Sequence, residues 1–159
     1  MRTTQQVVGH HLSELENADF VHAVGLIRKT KAAKSLRKFI MDLFELANDP
    51  DLLIESANSA RHSVLSTCNV GDIVLLRNEG GLSAGHVWKF VSLLDEHLVL
   101  VEELTLVSRN RRCRSANFCF TGEHMVYYLK DVIDPVVYSH LGNDTVRAIL
   151  PADLADRLH

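Results

Sequence analysis

The chain has 159 residues, 47% apolar and 23% charged, with a formal net charge of −3. That length and balance suit a folded unit with a sizeable core and exclude a charge-rich disordered tail. Its longest apolar runs, such as Ile73 to Leu76 and Leu98 to Val101, fall far short of the ~20 residues of a membrane-spanning helix, and Met1 to His11 has no apolar signal core.

From Leu12 to Asn48 apolar residues recur at helical spacing: Leu15, Phe20, Val24, Ile27, Leu36, Ile40, Leu43 and Ala47. The spacing predicts one helix or two, with Ser13 and Glu16 as a capping box and Gly25 as a break. Asp49 and Pro50 then suit a helix start, and a further helix is expected from Pro50 to about His62. Its apolar face would be Leu53, Ala57, Ala60 and Val64, packed back on the preceding helix as a hairpin.

Near Cys68 to Asp72 the pattern changes to short β-branched and aromatic runs between turn residues. Strands are expected at Asp72–Arg77, His86–Leu94, Leu98–Val107, Ala116–Phe120, His124–Leu129, Val136–Ser139 and Thr145–Leu150. Short connections imply antiparallel neighbours, a meander curling into a small barrel or sandwich. Pro151 to Leu158 suits a short closing helix. Leu98 and Leu100 point one way and Val99 and Val101 the other, so this strand needs a cover on both faces. The helical half is the expected cover, since no linker separates the two.

The run Val70, Gly71, Asp72, Ile73, Val74, Leu75, Leu76 resembles the first strand of an SH3-like or related small barrel. The expected fold class is therefore α+β, with an N-terminal helical hairpin of two or three helices packed on a mostly antiparallel small barrel. Residues 1–68 would be the helical segment and 69–159 the barrel, packed as one unit.

Charge is unevenly placed. Arg28, Lys29, Lys31, Lys34, Arg37 and Lys38 fall within eleven residues, and on a helix Lys31, Lys34 and Lys38 would stack along one side. A second cluster, Arg109, Arg111, Arg112 and Arg114, lies in the connection Ser108 to Ser115. Arginine forks suit phosphates and can stack on bases. If both clusters share a face, a nucleic-acid backbone is the matching partner. The plain alternative is a solvated helix face and a loop that keeps a strand edge soluble.

Other residues offer less. Trp88 and Phe90 fall on one face of their strand, and with Phe118 and Phe120 they are expected in the interior. Cys113, Cys119 and His124 lack the paired spacing of a zinc site. His10, His11 and His22 lack carboxylates at metal-site spacing. No Gly-x-Ser-x-Gly elbow or phosphate-cradling loop occurs, and Asn78 to Gly85 is expected to be a flexible hairpin loop. The pairs Asp95 with Glu96 and Glu102 with Glu103 are explained by turn solubility and nearby arginines. No catalytic residue, metal or cofactor is therefore expected.

The sequence thus predicts a non-enzymatic intracellular module, cytoplasmic or nuclear, with Cys68, Cys113 and Cys119 as reduced thiols. It would bind nucleic acid or a nucleoprotein assembly through Lys31, Lys34, Lys38, Arg109, Arg111, Arg112 and Arg114. The alternative is a protein-interaction or oligomerisation domain using the helical hairpin or an exposed barrel edge.

Overall fold

A computed structural model describes residues 24–47, 49–63 and 66–151. Eleven strands and one helix appear among them. In chain order they are β1 (Gly25–Ile27), β2 (Thr30–Lys31), α1 (Lys34–Leu43), β3 (Ile54–Ala57), β4 (Ser59–Ser63), β5 (Ser66–Asn69), β6 (Ile73–Asn78), β7 (Gly81–Leu93), β8 (Glu96–Asn110), β9 (Ser115–Tyr128), β10 (Val132–Gly142) and β11 (Thr145–Ile149). A single 3-10 turn, Leu129–Asp131, joins β9 to β10.

The expected helical hairpin on a small SH3-like barrel is corrected: the described residues are mostly β, with two sheets and one helix among them. The stretch read as a helix from Pro50 to His62 forms β3 and β4 instead. Along β4 burial alternates, with Ala60 and His62 inside and Arg61 and Ser63 outside, the period of two that a pleated strand imposes. Among the described residues of the longer expected helix only α1 is helical, while Gly25–Ile27 and Thr30–Lys31 pair in sheets. Tertiary pairing overrides the helical propensity of this Ala- and Lys-rich segment. The parts of these readings at residues 12–23, Asn48 and Val64, and the closing helix beyond Pro151, lie outside the described residues.

In the larger sheet β7, β6, β10, β11, β9 and β8 are neighbours in that order, and β8 pairs with β7 again, so the hydrogen-bonded ring closes. Its interior is filled from all six strands. Ile73, Leu75, Leu82, Ala84, Leu104, Ala116, Phe118, Val146 and Ala148 form the buried cluster, and Val136 and Tyr138 of β10 pack against it. Outward from the same strands, Val74, Leu76, Val87, Phe90, Val99 and Val101 lie with Ala57, Ala60 and Cys68 in a second buried cluster. The small sheet β1-β4-β5 supplies Ala60 and Cys68 to it.

The β7–β8 hairpin extends past the ring, and its far end pairs with β3 and carries α1. There Ile40 and Met41 of α1 pack on Ile54, Val91, Leu93, Leu98 and Leu100. The strand that is apolar on both faces thus has two covers: α1 over Leu98 and Leu100, and the cluster beneath the small sheet over Val99 and Val101. Burying each such side chain stabilises by about 1.5–3 kcal/mol. Because β3 pairs with β7, from Ile54↔Leu93 to Ala57↔Phe90, residues on both sides of position 68 share one sheet.

Three loops differ from expectation. Asn78 to Gly85 is no flexible loop: Glu79 and Gly80 alone make the turn, and Gly81 already pairs with Asn78. Gly85 lies within β7, where a Cβ would stand 2.8 Å from the Val101 side chain, so strand and neighbour approach closely only because it is glycine. Thr121 to Glu123 is not a turn between two strands but an irregularity within one continuous β9. Glu102 pairs with His124 and Leu104 with Phe120, so three β9 residues face one on β8. The β7–β8 turn consists of Leu94 and Asp95, with φ of 50° and 65°, the left-handed pair that suits tight hairpins.

Candidate functional site

The long β8 places the two basic clusters at opposite ends. Lys31 pairs with Glu55, Glu55 with Ser92, and Ser92 with His97, so Lys31 stands on the rung of His97. Arg109 lies twelve residues further along the same strand, on the order of 40 Å at ~3.3 Å per residue. The two clusters are thus separated along the strand.

At the α1 end the expected stripe is broken. Lys31 belongs to β2, and only Lys34 and Lys38 lie on the helix, one turn apart. Several cations here hold structure. Lys29 pairs with Glu55 at 3.4 Å and Lys38 with Asp42 at 2.9 Å. Arg37 donates to the carbonyl oxygens of Leu52 and Asp49, tying the chain after α1 back to the helix.

At the other end Arg111, Arg112 and Arg114 occupy the turn between β8 and β9, and Arg109 the last rungs of β8. Arg114 closes the turn with φ of 51°, its amide donating to the Arg111 carbonyl, while Asn110 Oδ1 accepts the Cys113 amide. Beside the turn lies a pocket of about 390 Å³, lined by Ser108, Arg109, Asn110, Cys113, Ser115, Asn117, Arg147 and Ile149. No acidic residue lines it among the described residues.

Arg147 is a member that the sequence reading missed. It lies 33 positions beyond Arg114, and only the pairing Arg147↔Asn117↔Ser108 across β11, β9 and β8 brings it to the tip. Its Nε donates to Asn117 Oδ1 at 3.1 Å, and Asn117 Nδ2 donates to Ser108 Oγ at 3.2 Å. This row fixes the guanidinium at the pocket wall.

The aromatic residues divide. Phe90 and Phe118 are fully buried as expected, but Trp88 is 49% exposed. A register shift between Val87 and Lys89 takes Trp88 off the face of Phe90. The indole meets Phe39 of α1 edge-on at 6.3 Å and His124 of β9 at 4.7 Å, and it lines a groove of about 530 Å³ against α1.

His86, Glu102 and His124 stand side by side on β7, β8 and β9. The rings make aromatic contacts, His86 with Phe120 in a T-shaped arrangement at 5.3 Å and His124 tilted against Trp88. Glu102 Oε2 accepts the Gly122 amide at 3.0 Å, bracing the irregularity in β9. No group of three His, Cys, Asp or Glu residues among the described ones is placed to hold a metal ion. His10, His11 and His22 lie outside the described residues.

Cys68 is buried, and its thiol is pushed up to about 12, chiefly by burial and further by Asp72 and Asp134. Cys113 is exposed at the arginine tip. No helix among the described residues is long and apolar enough to cross a membrane. No protein-family model matches the chain, and no curated protein matches it in sequence.

Proposed function

We propose that the protein is a non-enzymatic binding module for nucleic acid, and that the β8–β9 tip is its principal contact with the phosphate backbone. The observation that carries this reading is the pocket lined by Arg109 and Arg147, the latter held by Asn117, beside the turn that bears Arg111, Arg112 and Arg114. Guanidinium forks match phosphate oxygens, and a strand-end turn can approach a rigid backbone without steric conflict. Lys31, Lys34 and Lys38 form a separate contact at the other end, so the two clusters do not grip one short stretch of backbone together. The setting is intracellular, cytoplasmic or nuclear, where the three thiols stay reduced.

The test is the anisotropy of labelled oligonucleotides at low and at moderate salt. Replacing Arg109, Arg111, Arg112 and Arg114 with Gln is expected to weaken binding at least about tenfold and to flatten the salt dependence by about 0.9 for each phosphate no longer neutralised. Bound nucleic acid should also slow alkylation of Cys113, which sits within the tip, and leave buried Cys68 as it was. Undetectable binding at low salt, or unchanged affinity in the fourfold variant, sinks the reading.

One observation favours a protein partner or self-association instead. Val107, Val137 and Ile149 near the same tip are 62%, 76% and 50% exposed, and Val137 pairs directly with Ile149. Sedimentation of the wild type beside Val137→Asp decides it: a concentration-dependent oligomer dissolved by the variant would favour that reading.

A further inference from the structure

We propose that the groove between α1 and β7 takes a base of single-stranded nucleic acid, stacked on Trp88 with a flanking phosphate on Lys31 and Lys89. The proposal rests on the nucleic-acid reading and names the strand form that this end of the molecule recognises.

The groove combines an aromatic platform with positive charge. Leu36, Phe39 and Trp88 give it an apolar floor, Lys31 and Lys89 are its charged lining, and no acidic residue lines it among the described residues. Its volume of about 530 Å³ lies within the range of roughly 300–1,000 Å³ that small-ligand sites occupy. The platform is held in place: His124 packs against the indole with the rings tilted at 4.7 Å, Phe39 meets it in a T-shaped contact at 6.3 Å, and half of Trp88 remains accessible. Lys89 is held as well, donating to Asn58 Oδ1 at 2.6 Å. The neighbouring acid, Glu55, is paired with Lys29.

Charge complementarity selects an anion and the exposed indole selects one that carries a π-face. An acidic peptide satisfies only the first condition. A duplex keeps its bases stacked on one another, out of reach of a side chain recessed in a groove. A single strand offers an unstacked base and a phosphate joined to it through one sugar, the pairing that aromatic platforms beside lysines accommodate.

Trp88 is the only tryptophan, so its fluorescence reports on this groove alone. A fluorescein-labelled oligothymidylate is titrated at low salt, following label anisotropy for binding anywhere and indole emission for the groove. A duplex of the same length and thymidine monophosphate serve as separate arms. Saturable quenching by the single strand, with the same midpoint as the anisotropy and much weaker quenching by the other two, is the expected result.

Trp88→Ala is expected to weaken single-strand binding by about tenfold or more, Trp88→Phe to retain most of it, and Lys31→Glu with Lys89→Glu to lose it comparably. Quenching should survive in the fourfold arginine variant. An anisotropy rise with unchanged indole emission, or full affinity in Trp88→Ala, overturns the groove proposal and leaves the nucleic-acid reading standing. Equal quenching by the duplex or by the mononucleotide also overturns it. No anisotropy change for any oligonucleotide takes down both.

Discussion

The two ends of β8 carry clustered cations, six in one segment and four in the other, on different supports. At the α1 end Lys29, Arg37 and Lys38 are engaged with Glu55, with the carbonyls after the helix, and with Asp42. Around the exposed indole stand Lys31 and Lys89, the latter bonded to Asn58 Oδ1. At the β8–β9 tip the arginines ride on a turn whose shape is fixed by backbone and Asn110 hydrogen bonds, and the sheet adds Arg147 from a distant strand. The number of cations in a segment is therefore not the number it can offer a partner. An irregular segment that must be tied down consumes charge in its own structure, whereas at the tip two long strands and their register set where the arginines stand.

The largest expected effect asks whether the two ends belong to one cooperative structure. Phe90 is buried beneath the small sheet and Phe118 in the ring interior. Truncating either to Ala leaves a cavity worth about 3–5 kcal/mol. Both variants should show one thermal transition by circular dichroism, lowered by roughly 10 °C. If Phe90→Ala shifts one of two separable transitions and Phe118→Ala the other, the ends fold independently and the comparison becomes one between two units.

Next in size is the contrast in binding itself. Neutralising the four tip arginines should cost at least about 1.4 kcal/mol for duplex DNA, a factor of ten. Replacing Lys34 and Lys38 with Gln should cost distinctly less, because Lys38 already serves Asp42. Equal losses would mean that the helix-end lysines reach the same backbone and that the separation along β8 does not govern binding.

Much of the ring was legible in the sequence, and its reasons are local. β6 and β11 lie where strands were expected, because β-branched and apolar runs between Gly, Asn and Asp residues leave few alternatives. The double-sided character of Leu98 to Val101 correctly demanded two covers. The identity of the covers was hidden, because β3 and β4 are short, Ala-bearing strands, and β3 finds its partner β7 some thirty residues away in sequence. Leu53, Ala57 and Ala60 fit a helical stripe as well as anything local could. The arginine tip was visible as a loop between strands, but Arg147 joins it only through register. Trp88 left the core through a shift that depends on how β7 meets β8, which no strand shows by itself. Gly85 was the available hint that two strands crowd together there.

A smaller effect lies between the ends, where the small sheet is fastened to the ring. His62 on β4 places Nε2 2.8 Å from Ser66 Oγ, and Ser66 Oγ donates to Asp134 Oδ1 on β10. Burial pushes the imidazole below its ordinary value, against the opposing pull of Asp134 and the Val132 backbone. The unfolded chain therefore binds the proton first as the pH falls. Stability should be complete above about pH 6.5, the ordinary histidine value, and decline as the pH drops below it toward the folded value. His62→Gln should flatten that decline in melts taken across the interval. A wild type that gains stability on acidification through it would contradict this account.

The finest test of the contrast is to release one cation that the helix end holds. Lys38 and Asp42 are both well exposed, with side chains 77% and 68% accessible, so their pair at one helical turn contributes only about 0.3–0.5 kcal/mol. Asp42→Asn should lower the melting temperature by about 1 °C. It should also strengthen binding of a single-stranded oligonucleotide by about twofold at low salt, because it removes a negative charge and frees an ammonium on the same helix. The gain should disappear at high salt and in the Asp42→Asn, Lys38→Gln double variant. If Asp42→Asn leaves affinity unchanged at low salt while the melt shifts as expected, Lys38 faces away from the bound strand. The usable charge at this end then narrows to Lys31, Lys34 and Lys89.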